Sequence, residues 1–419
     1  MPMSSRAIVI GGGVIGLCSG WELQQRGWKV TVLERDTVGS GASIGNCGYV
    51  CPSHAPPLSG PGVIASTLPQ LFRRNGALSI PLRWDPSLWG WLWSFARHCN
   101  AAAMQRALHG RAALLNSSMQ IYRDWIAKDQ DDLQWQSNGL LLVFRSDQSY
   151  RDYARTADVI RDAAGVPVTE HPGSDICEID QSLRDDLAGG WFFPQDAHLH
   201  PAKLIASLRR RLEAGGGEIR EGVSVDRFEV QAHEASAVTT TRNERISGDL
   251  FVLATGAEMP QIARQLGCRV PIVPGKGFSM MLPEPSTKPT VPMIFEESHV
   301  AITPLADGLR VGSTMQLTGY DRTIPPRRLR YLRDSAQAHL ACSLSASEFR
   351  QPWTGWRPMM PDGLPCIDRT PTTTNVILAS GNGMIGISTA PATGRLVAEL
   401  ASDQAPHIDA TAYRLSRFS

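Results

Sequence analysis

A glycine-rich turn between two short apolar segments constrains the fold of this chain more than any other feature. Residues 7–10 are an apolar run that leads into Gly11-x-Gly13-x-x-Gly16; a helical stretch and a second apolar run ending on Glu34 follow. Gly11 permits a tight strand-to-helix turn, and Gly13 lets the backbone approach a pyrophosphate. Gly16 allows the helix to pack closely on the strand. Glu34, 18 residues after Gly16, can accept hydrogen bonds from the hydroxyls of a ribose. The pattern predicts a strand–helix–strand unit that binds a dinucleotide.

Two later segments resemble further parts of a cofactor site. Residues 249–257 are an apolar strand that runs into a small-residue turn, and residues 375–386 are a strand followed by a second glycine-rich turn. Residues 388–400 then have helical patterning, and the N-terminus of that helix would direct its positive dipole end at an anionic group such as the N1–C2=O edge of a reduced flavin. A nicotinamide cofactor is usually held by one contiguous stretch. Three separated segments therefore favour FAD, bound by a discontinuous domain.

Four motifs carry a resemblance to a known family over nearly the whole chain. They are Gly39-Ser-Gly-Ala-Ser-Ile-Gly-Asn-Cys-Gly48, Phe193-Pro-Gln-Asp-Ala-His-Leu-His-Pro201, the Thr354–Pro365 segment with Gly-Trp-Arg-Pro and Pro-Asp-Gly, and Gly381-x-Gly383-x-x-Gly386 with Ala390-Pro-Ala-Thr-Gly394. With the N-terminal fingerprint, they make the chain similar to the FAD-dependent D-amino acid oxidase/dehydrogenase superfamily, which also contains glycine oxidase, sarcosine oxidase and glyphosate oxidoreductase. Within it the resemblance is greatest to bacterial D-amino acid dehydrogenases, including those that act on D-proline or hydroxyproline.

The motifs and the resemblance together predict the residues that contact FAD. The strand of residues 218–225 supplies backbone contacts near the adenine in the family, which indicates Val223 or Val225. The full predicted set is Gly11, Gly13, Val14, Ile15, Gly16, Glu34, Arg35, Gly41, Ala42, Ser43, Asn46, Cys47, Gly48, Val225, Thr255, Gly256, Gly381, Gly383, Met384, Ile385 and Gly386.

The predicted fold is α/β (α+β overall), in which a Rossmann-like FAD-binding domain is interleaved with a substrate domain built on an antiparallel sheet with helices. A chain of 419 residues is long enough for two cores. We assign residues 1–55, 195–265 and 345–419 to the FAD-binding domain. Residues 56–194 and 266–344 then form the substrate-binding domain.

Composition excludes several classes of partner and site. The formal net charge is +1, which gives no electrostatic case for nucleic acid. No apolar stretch is long enough to span a membrane, and the N-terminal apolar run is the first Rossmann strand rather than a signal peptide. These observations predict a cytoplasmic protein. Zinc-type cysteine and histidine spacing is absent from the sequence, so no metal site is predicted.

The eight cysteines are scattered along the chain. Cys47 and Cys51 are close enough in sequence to contact the flavin or to form a redox pair, although small packing residues in a tight loop are the simpler interpretation. Sarcosine oxidases attach their flavin through a cysteine just before the Pro-Asp that matches Pro361-Asp362. Residues 355–360 contain no cysteine here, so the resemblance predicts non-covalent FAD.

An aromatic run has three interpretations. Trp84, Trp89, Trp91, Trp93 and Phe95 follow helical spacing. Tryptophan favours the membrane interface, and related dehydrogenases pass electrons to the membrane, so a peripheral contact with the inner face of the membrane is one interpretation. A contact with a partner subunit is the second. A helix packed within the substrate domain is the third and is favoured, because the basic flank of a surface anchor is missing.

The chemistry of amine oxidation by a flavin predicts an arginine as the indispensable protein group. A neutral amine can assist the loss of its Cα–H as hydride to flavin N5, so that positioning carries much of the rate. A guanidinium fork is suited to holding the α-carboxylate. In D-amino acid oxidase and glycine oxidase the arginine of the Gly-x-Arg-Pro segment has this role, which indicates Arg357; Arg310 is the alternative. Trp356, His54, Tyr49 and Tyr320 are weaker substrate-binding candidates, as is His299, and no catalytic base is assigned.

The sequence therefore predicts FAD-dependent oxidation of a D-amino acid to an imino acid. A glycine- or sarcosine-type oxidase is the alternative within the family. A flavin monooxygenase or reductase, and a non-catalytic flavin subunit of a larger dehydrogenase, are alternatives of another class. The electron acceptor is either O2 or a quinone-linked carrier.

Overall fold

A computed structural model describes residues 5–64, 78–80, 84–128, 132–345 and 348–418. The helices are α1 Val14–Gln24, α2 Pro86–His98, α3 Ala101–Lys128, α4 Asp147–Ala164, α5 Ile176–Ile179, α6 Pro201–Ala214, α7 Met259–Ala263, α8 Pro326–Gln337 and α9 Gly386–Ala401. The strands are β1 Arg6–Ile10, β2 Lys29–Leu33, β3 Tyr49–Val50, β4 Leu78–Ser79, β5 Leu140–Phe144, β6 Thr169–Pro172, β7 Gly189–Phe193, β8 Ala197–His198, β9 Glu218–Arg220, β10 Val225–Gln231, β11 Glu234–Thr240, β12 Arg245–Ser247, β13 Leu250–Leu253, β14 Val273–Leu282, β15 Met293–Phe295, β16 Val300–Leu305, β17 Gly308–Gln316, β18 Arg350–Met359, β19 Cys366–Arg369 and β20 Val376–Ser380.

A six-stranded sheet brings the three predicted cofactor segments together. Its strand order is β19-β20-β13-β1-β2-β9, and all pairs except β19–β20 are parallel. Strand β13 therefore lies directly beside β1, and β20 lies on the other side of β13, although both strands come more than 230 residues after β1 in the chain. Their apolar runs are buried because helices cover a parallel sheet on its faces. The three segments that the sequence suggested as parts of one cofactor site therefore lie in one sheet.

Helices α1 and α9 pack against each other beside this sheet at a small-residue contact. A Cβ on Gly394 would lie 2.6 Å from the carbonyl carbon of Cys18, so only glycine permits this approach of the two backbones. The Ala-Pro-Ala-Thr-Gly motif of α9 thus has a packing role. It brings the N-terminus of α9 to the same side of the sheet as the N-terminus of α1.

The strand predicted over residues 218–225 is interrupted. Strand β9 ends at Arg220 and β10 starts at Val225, with a turn between them in which Gly222 adopts φ of +71°. This left-handed backbone is accessible to glycine at little cost. The turn carries the chain from the six-stranded sheet to a separate three-stranded sheet of β10, β11 and β12.

A larger, mostly antiparallel sheet forms the other half of the molecule. Its order is β18-β14-β17-β16-β15-β5-β7-β6, and β4 also pairs with β17. The sequence pattern predicts two short strands at residues 270–273 and 277–282, but the structure has one continuous strand, β14, from Val273 to Leu282. The apolar spacing of residues 84–128 predicts a helical region, which the structure divides into two helices, because Asn100 begins α3 by accepting a hydrogen bond from the Ala103 N–H at 3.0 Å.

Strand β18 bears on the predicted domain boundaries. It falls in the segment 345–419 assigned to the FAD-binding domain, but it hydrogen-bonds to β14 of the larger sheet along most of its length. The chain re-enters the six-stranded sheet only at Cys366. The division into domains stays a prediction, and we propose moving its last boundary from 345 to about residue 360.

The aromatic helix is partly packed and partly exposed. In α2, Trp91 is buried and donates a hydrogen bond to the Met359 carbonyl at 3.1 Å, which agrees with the packed-helix interpretation at that position. Trp84, Trp89 and Trp93 are 91%, 46% and 64% exposed. In the part of the chain that the structure describes, no helix is both long and apolar enough to cross a membrane.

Candidate active site

A cavity of about 1880 Å³ runs between the glycine-rich turns of the six-stranded sheet and one face of the larger sheet. A pocket for one small ligand typically has roughly 300–1,000 Å³, so this cavity has room for a dinucleotide together with a substrate. The predicted residues that line it are Gly11, Gly13, Val14, Ile15, Glu34, Arg35, Gly41, Ala42, Ser43, Asn46, Cys47, Val225, Thr255, Gly256, Gly381, Gly383, Met384, Ile385, Gly386, Tyr49, His54, His299, Trp356 and Arg357. Gly16, Gly48, Tyr320 and Arg310 are not among its lining residues.

The glycines of the N-terminal turn have the separate roles that the sequence indicated. Gly11 has φ of +106°, and a Cβ there would lie 2.5 Å from the Ala254 carbonyl oxygen of the neighbouring strand. A Cβ on Gly16 would lie 1.9 Å from the Gly11 oxygen, so Gly16 serves packing and is absent from the cavity wall. A Cβ on Gly13 would make only a 3.4 Å contact with Ser43. Gly13 therefore keeps open the space in which a phosphate would approach.

Glu34 stands at the carboxyl end of β2, as predicted. Its two carboxylate oxygens accept hydrogen bonds from the backbone N–H groups of Gly12, at 2.7 Å, and Asp36, at 2.8 Å. A carboxylate has about four lone-pair sites, so Glu34 retains acceptor capacity toward the cavity. Arg35 forms a two-bond contact with Glu258, each at 2.8 Å, which closes this end of the cavity.

Hydrogen bonds join the loop of residues 41–48 to both glycine-rich turns of the six-stranded sheet. Ser43 accepts a hydrogen bond from the Val14 N–H at 3.0 Å, and Asn46 bonds the Gly48 N–H at 2.7 Å and the Met384 carbonyl at 3.3 Å. The contribution of Gly48 is conformational: its φ is +81°, and a Cβ would lie 2.0 Å from the Leu199 oxygen. The loop is thereby held against both glycine-rich turns.

Cys47 and Cys51 are both free thiols. Cys47 lines the cavity, and burial raises the pKa of its thiol. Cys51 is buried with its Sγ 3.8 Å from the Ala197 carbonyl oxygen, and burial is also the main cause that raises its pKa. Both thiols are held in the unreactive protonated form. This favours the packing interpretation over the redox pair.

The residues present fit FAD. Two helix N-termini, those of α1 and α9, open on the same cavity. The first N–H groups of a helix have no partner within the helix itself, so such ends are suited to phosphate and to an anionic ring edge. Thr255 and Asn382, at the cavity wall, each have a buried side-chain oxygen that has no hydrogen-bond partner among the described residues. Val223 and Ser224 also line it beside Val225, which agrees with the family's contacts near the adenine. The donors thus match a ligand with phosphates at one end and a polar ring system at the other.

Arg357 is the cation at the other end of the cavity. It lies on β18 with its guanidinium over Gly277, where a Cβ would approach its Cζ to 2.4 Å. One nitrogen donates to the Thr314 carbonyl at 2.6 Å, and no carboxylate of the described chain forms an ion pair with it. Burial lowers the pKa of the Arg357 guanidinium to about 10, so it stays charged at neutral pH. A half-buried, charged fork that has no counter-ion among the described residues is suited to bind an anion.

Strained backbone presents the carbonyl that holds Arg357. Ser313 has φ of +96° and Thr314 has φ of +54°, and a β-branched residue seldom adopts such a conformation. The strain interrupts the regular pairing of β14 with β17 between Lys276 and Phe278. Strained backbone that is retained beside a ligand-binding group is typical of functional sites. No sequence signal indicated these two residues.

The contacts of Arg310 indicate a structural role. Its side chain is buried; it donates to the Ile44 carbonyl at 3.2 Å and to the Met281 sulfur at 2.9 Å, and burial lowers its pKa. It therefore holds the 41–48 loop onto the larger sheet. Because it does not reach the cavity wall, Arg357 is the better candidate for a carboxylate anchor.

The weaker substrate-binding candidates differ in whether they line the cavity: Tyr49, His54 and Trp356 do, and Tyr320 does not. The Tyr49 hydroxyl lies 2.8 Å from the carbonyl oxygens of Met293 and Ile302, so only its ring faces the cavity. His54 stacks on that ring at 6.1 Å, and burial lowers its pKa to about 4, which keeps it neutral. Trp356 contacts Tyr320 edge-on at 5.2 Å. The Tyr320 hydroxyl donates to the Ala257 carbonyl at 2.8 Å, outside the cavity wall.

The sequence did not indicate two further groups at the cavity. Trp353 lies across Gly45, where a Cβ would approach the indole to 2.0 Å, and its Nε1 is buried without a partner. Arg111 on α3 donates to the carbonyls of His54 at 2.7 Å, Ala55 at 2.9 Å and Gly363 at 3.1 Å. Both depend on contacts between segments far apart in the chain, which local patterns do not report.

Comparisons with known proteins agree with this geometry. The model of the FAD dependent oxidoreductase family, DAO, matches residues 6–400. The D-amino acid dehydrogenase of Paramagnetospirillum magneticum is 31% identical over 428 residues, covering 99% of each chain. That of Methylobacterium nodulans is 33% identical over 419 residues, covering 96% of each chain.

Solved structures show the same fold. Glycine oxidase from Geobacillus kaustophilus has a TM-score of 0.75 at 21% identity and covers 99% of both chains. L-proline dehydrogenase from P. horikoshii has a TM-score of 0.76 at 20% identity, covering 100% of this chain and 98% of that one. The family match spans both sheets and every segment of the cavity described above. This chain belongs to the DAO family and is an FAD-dependent oxidoreductase.

Proposed function

We propose that this enzyme oxidises a D-amino acid at Cα to the imino acid, with Arg357 binding the α-carboxylate. The observation that carries the proposal is the half-buried Arg357 guanidinium, which faces the cavity without a carboxylate partner in the described chain. An α-carboxylate would supply the missing counter-charge through two parallel hydrogen bonds. The names of the relatives at 31% and 33% identity support a D-amino acid as substrate.

FAD, when bound, supplies a two-electron acceptor for the hydride that leaves Cα. The chain itself orients the substrate: Arg357 fixes the carboxylate, and the Thr314 carbonyl at 2.6 Å fixes the guanidinium. His54 is neutral at physiological pH because burial lowers its pKa, so it adds no positive charge that would oppose an amine. The amine must be neutral for its lone pair to form the C=N bond as Cα–H leaves, and the imine then hydrolyses to a 2-oxo acid and ammonia. Non-covalent attachment of FAD stays a prediction.

Substitution of Arg357 tests the anchor. We expect Arg357→Lys to lower kcat/KM for a D-amino acid by roughly two to four decades, because loss of a desolvated charge pair costs about 3–5 kcal/mol. The same variant should oxidise the corresponding amine, which lacks the carboxylate, at nearly the rate of the unmodified enzyme. The measurement is anaerobic stopped-flow reduction of the bound flavin by each of the two substrates.

Arg310→Lys is the matched control. It alters a second arginine close to the same loop, and we expect equal losses for the carboxylated and decarboxylated substrates, accompanied by reduced FAD content. If Arg310→Lys discriminates between the two substrates and Arg357→Lys does not, the anchor is Arg310 and the assignment is wrong.

A further inference from the structure

Part of the cavity wall is formed by helix α4, strands β15 and β16 and the turn between these two strands. Tyr153 and Thr156 line the cavity from the helix, and Ile294, Ala301 and Glu296 from the strands and the turn that joins them. The proposed function places the α-carboxylate on Arg357, and the inference below rests on it. The space along this part of the wall is then available to the side chain of the substrate.

A chain of hydrogen bonds joins this space to the anchor. Arg357 donates to the Thr314 carbonyl at 2.6 Å, and the Thr314 N–H donates to the His299 carbonyl at 3.4 Å. The His299 N–H in turn donates to the Glu296 carbonyl at 3.1 Å. The turn from Glu296 to His299 is thus next to the strained backbone that orients Arg357.

Glu296 is the acidic group of this space. It is half-buried, and its carboxylate accepts no hydrogen bond and forms no ion pair with the described residues. Burial raises its pKa, the neighbouring Glu297 adds to the effect, and His299 opposes it. The same negative charge contributes, after burial, to the raised pKa of Tyr153. A desolvated carboxylate of this kind is stabilised by an incoming cation.

Its sequence neighbour is different. The Glu297 carboxylate accepts hydrogen bonds from the backbone N–H groups of Arg145, at 2.9 Å, and Ser146, at 3.0 Å, and it does not line the cavity. Of these two adjacent acids, one is used by the fold and the other faces the substrate space. A substitution of Glu297 is therefore a matched control for the same substitution of Glu296.

We propose that Glu296 binds a cationic side chain of the substrate, so that the enzyme prefers D-amino acids with an amine or guanidinium at the end of an alkyl stem. Ile294 and Ala301 offer apolar contact to the stem. The Tyr153 ring lies in the same wall and suits a cation near its face. Arg357 and Glu296 then pair with the two opposite charges of one substrate, the α-carboxylate and the side-chain cation.

Two substrates with the same carbon chain distinguish the effect of the side-chain charge from that of the apolar stem, because only one of them carries a terminal amine. Anaerobic flavin reduction is measured with D-lysine and with D-norleucine for the unmodified enzyme, Glu296→Gln and Glu297→Gln. We expect the unmodified enzyme to prefer D-lysine. Glu296→Gln should lose roughly 10- to 100-fold in kcat/KM for D-lysine and little for D-norleucine, as expected for one charged hydrogen bond. Glu297→Gln should keep the preference of the unmodified enzyme.

Three results would overturn the inference. The first is an unmodified enzyme without preference for D-lysine, a result that stands even if a variant fails to fold. The second is an equal loss for both substrates in Glu296→Gln with an altered pH profile, which would make Glu296 a proton acceptor for every amine. The third is the same change of preference in Glu297→Gln. Absence of flavin reduction by any amino acid would instead refute the proposed function, so the two failures are distinguishable.

Discussion

The Glu34 carboxylate combines a structural contact with a free acceptor edge. It bonds the N–H groups of Gly12 and Asp36 and lines the cavity between them. We expect Glu34→Ala to weaken FAD binding by roughly 10- to 150-fold per lost bond to the ribose, since a charged hydrogen bond contributes about 1.5–3 kcal/mol. The preference among amino acids should not change, because Arg357 lies at the other end of the cavity. Titration of the apoprotein with FAD measures the first effect and steady-state kinetics at saturating FAD the second.

Glu22→Ala is the control for this variant. Glu22 belongs to the same strand–helix–strand unit, but its carboxylate pairs with Arg26 at 2.7 Å and is not part of the cavity wall. Its removal should leave FAD affinity unchanged. Equal affinity for FAD in Glu34→Ala and Glu22→Ala would show that Glu34 does not reach the ribose.

At the residue scale, the sequence predicted the groups whose chemistry is local. The roles of Gly11 and Gly16 are set by the turn that they form, and the structure agrees with both. The Thr314 carbonyl and Trp353 were not predicted, because each acquires its place from a strand far away in the chain. Tyr320 was a candidate because of its type alone, and the structure gives its hydroxyl a bond to the Ala257 carbonyl.

Helix α3 is the element that joins the His54 turn to the loop following β18. Its Arg111 donates to the carbonyls of His54, Ala55 and Gly363, and burial lowers the pKa of its guanidinium to about 10. We expect Arg111→Met to lower the free energy of unfolding by about 3 kcal/mol or more, since it leaves buried acceptors without a donor. Urea denaturation of the FAD-loaded protein measures this change.

The same helix offers a control at Arg106, which is exposed. Arg106→Met should change the free energy of unfolding by no more than about 0.5 kcal/mol, as for most surface positions. If Arg111→Met is as stable as Arg106→Met, the three carbonyls have other donors and the proposed joint between helix and turn is wrong.

At the element scale, predictions held where the apolar pattern was long and failed where a single residue ends an element. The sequence pattern predicts a strand over residues 139–145 and helices over 151–165 and 202–214, and strand β5, helix α4 and helix α6 lie within four residues of these bounds. Gly222 interrupts the strand predicted over 218–225, and Asn100 starts a new helix within the region predicted as continuous. Both are turn or cap residues whose effect depends on the direction in which the chain must next travel.

At the scale of the whole molecule, the sequence predicted the fold class, the cofactor and the family. Three strand-and-turn segments that are distant in the chain converge on one sheet, β20-β13-β1, and that convergence follows from their common need to reach one dinucleotide. The position of β18 could not be read in the same way. The Gly-x-Arg-Pro motif of β18 predicts a substrate-binding arginine. The pairing of β18 with β14, by contrast, joins residues far apart in the sequence, and no local sequence pattern predicts it.

Removal of a hydride from the Cα of a D-amino acid is the reaction that we propose for this FAD-dependent enzyme. It can be measured by an anaerobic titration of the purified holoenzyme with D-, L- and N-methyl amino acids, in which visible flavin absorbance and 2-oxo acid are both quantified. We predict that D-amino acids bleach the flavin with one 2-oxo acid formed per FAD reduced, and that the L-enantiomers do not. Bleaching by NADPH without bleaching by any amino acid, or faster bleaching by L- or N-methyl amino acids than by D-amino acids, would show that the enzyme is not a D-amino acid dehydrogenase or oxidase.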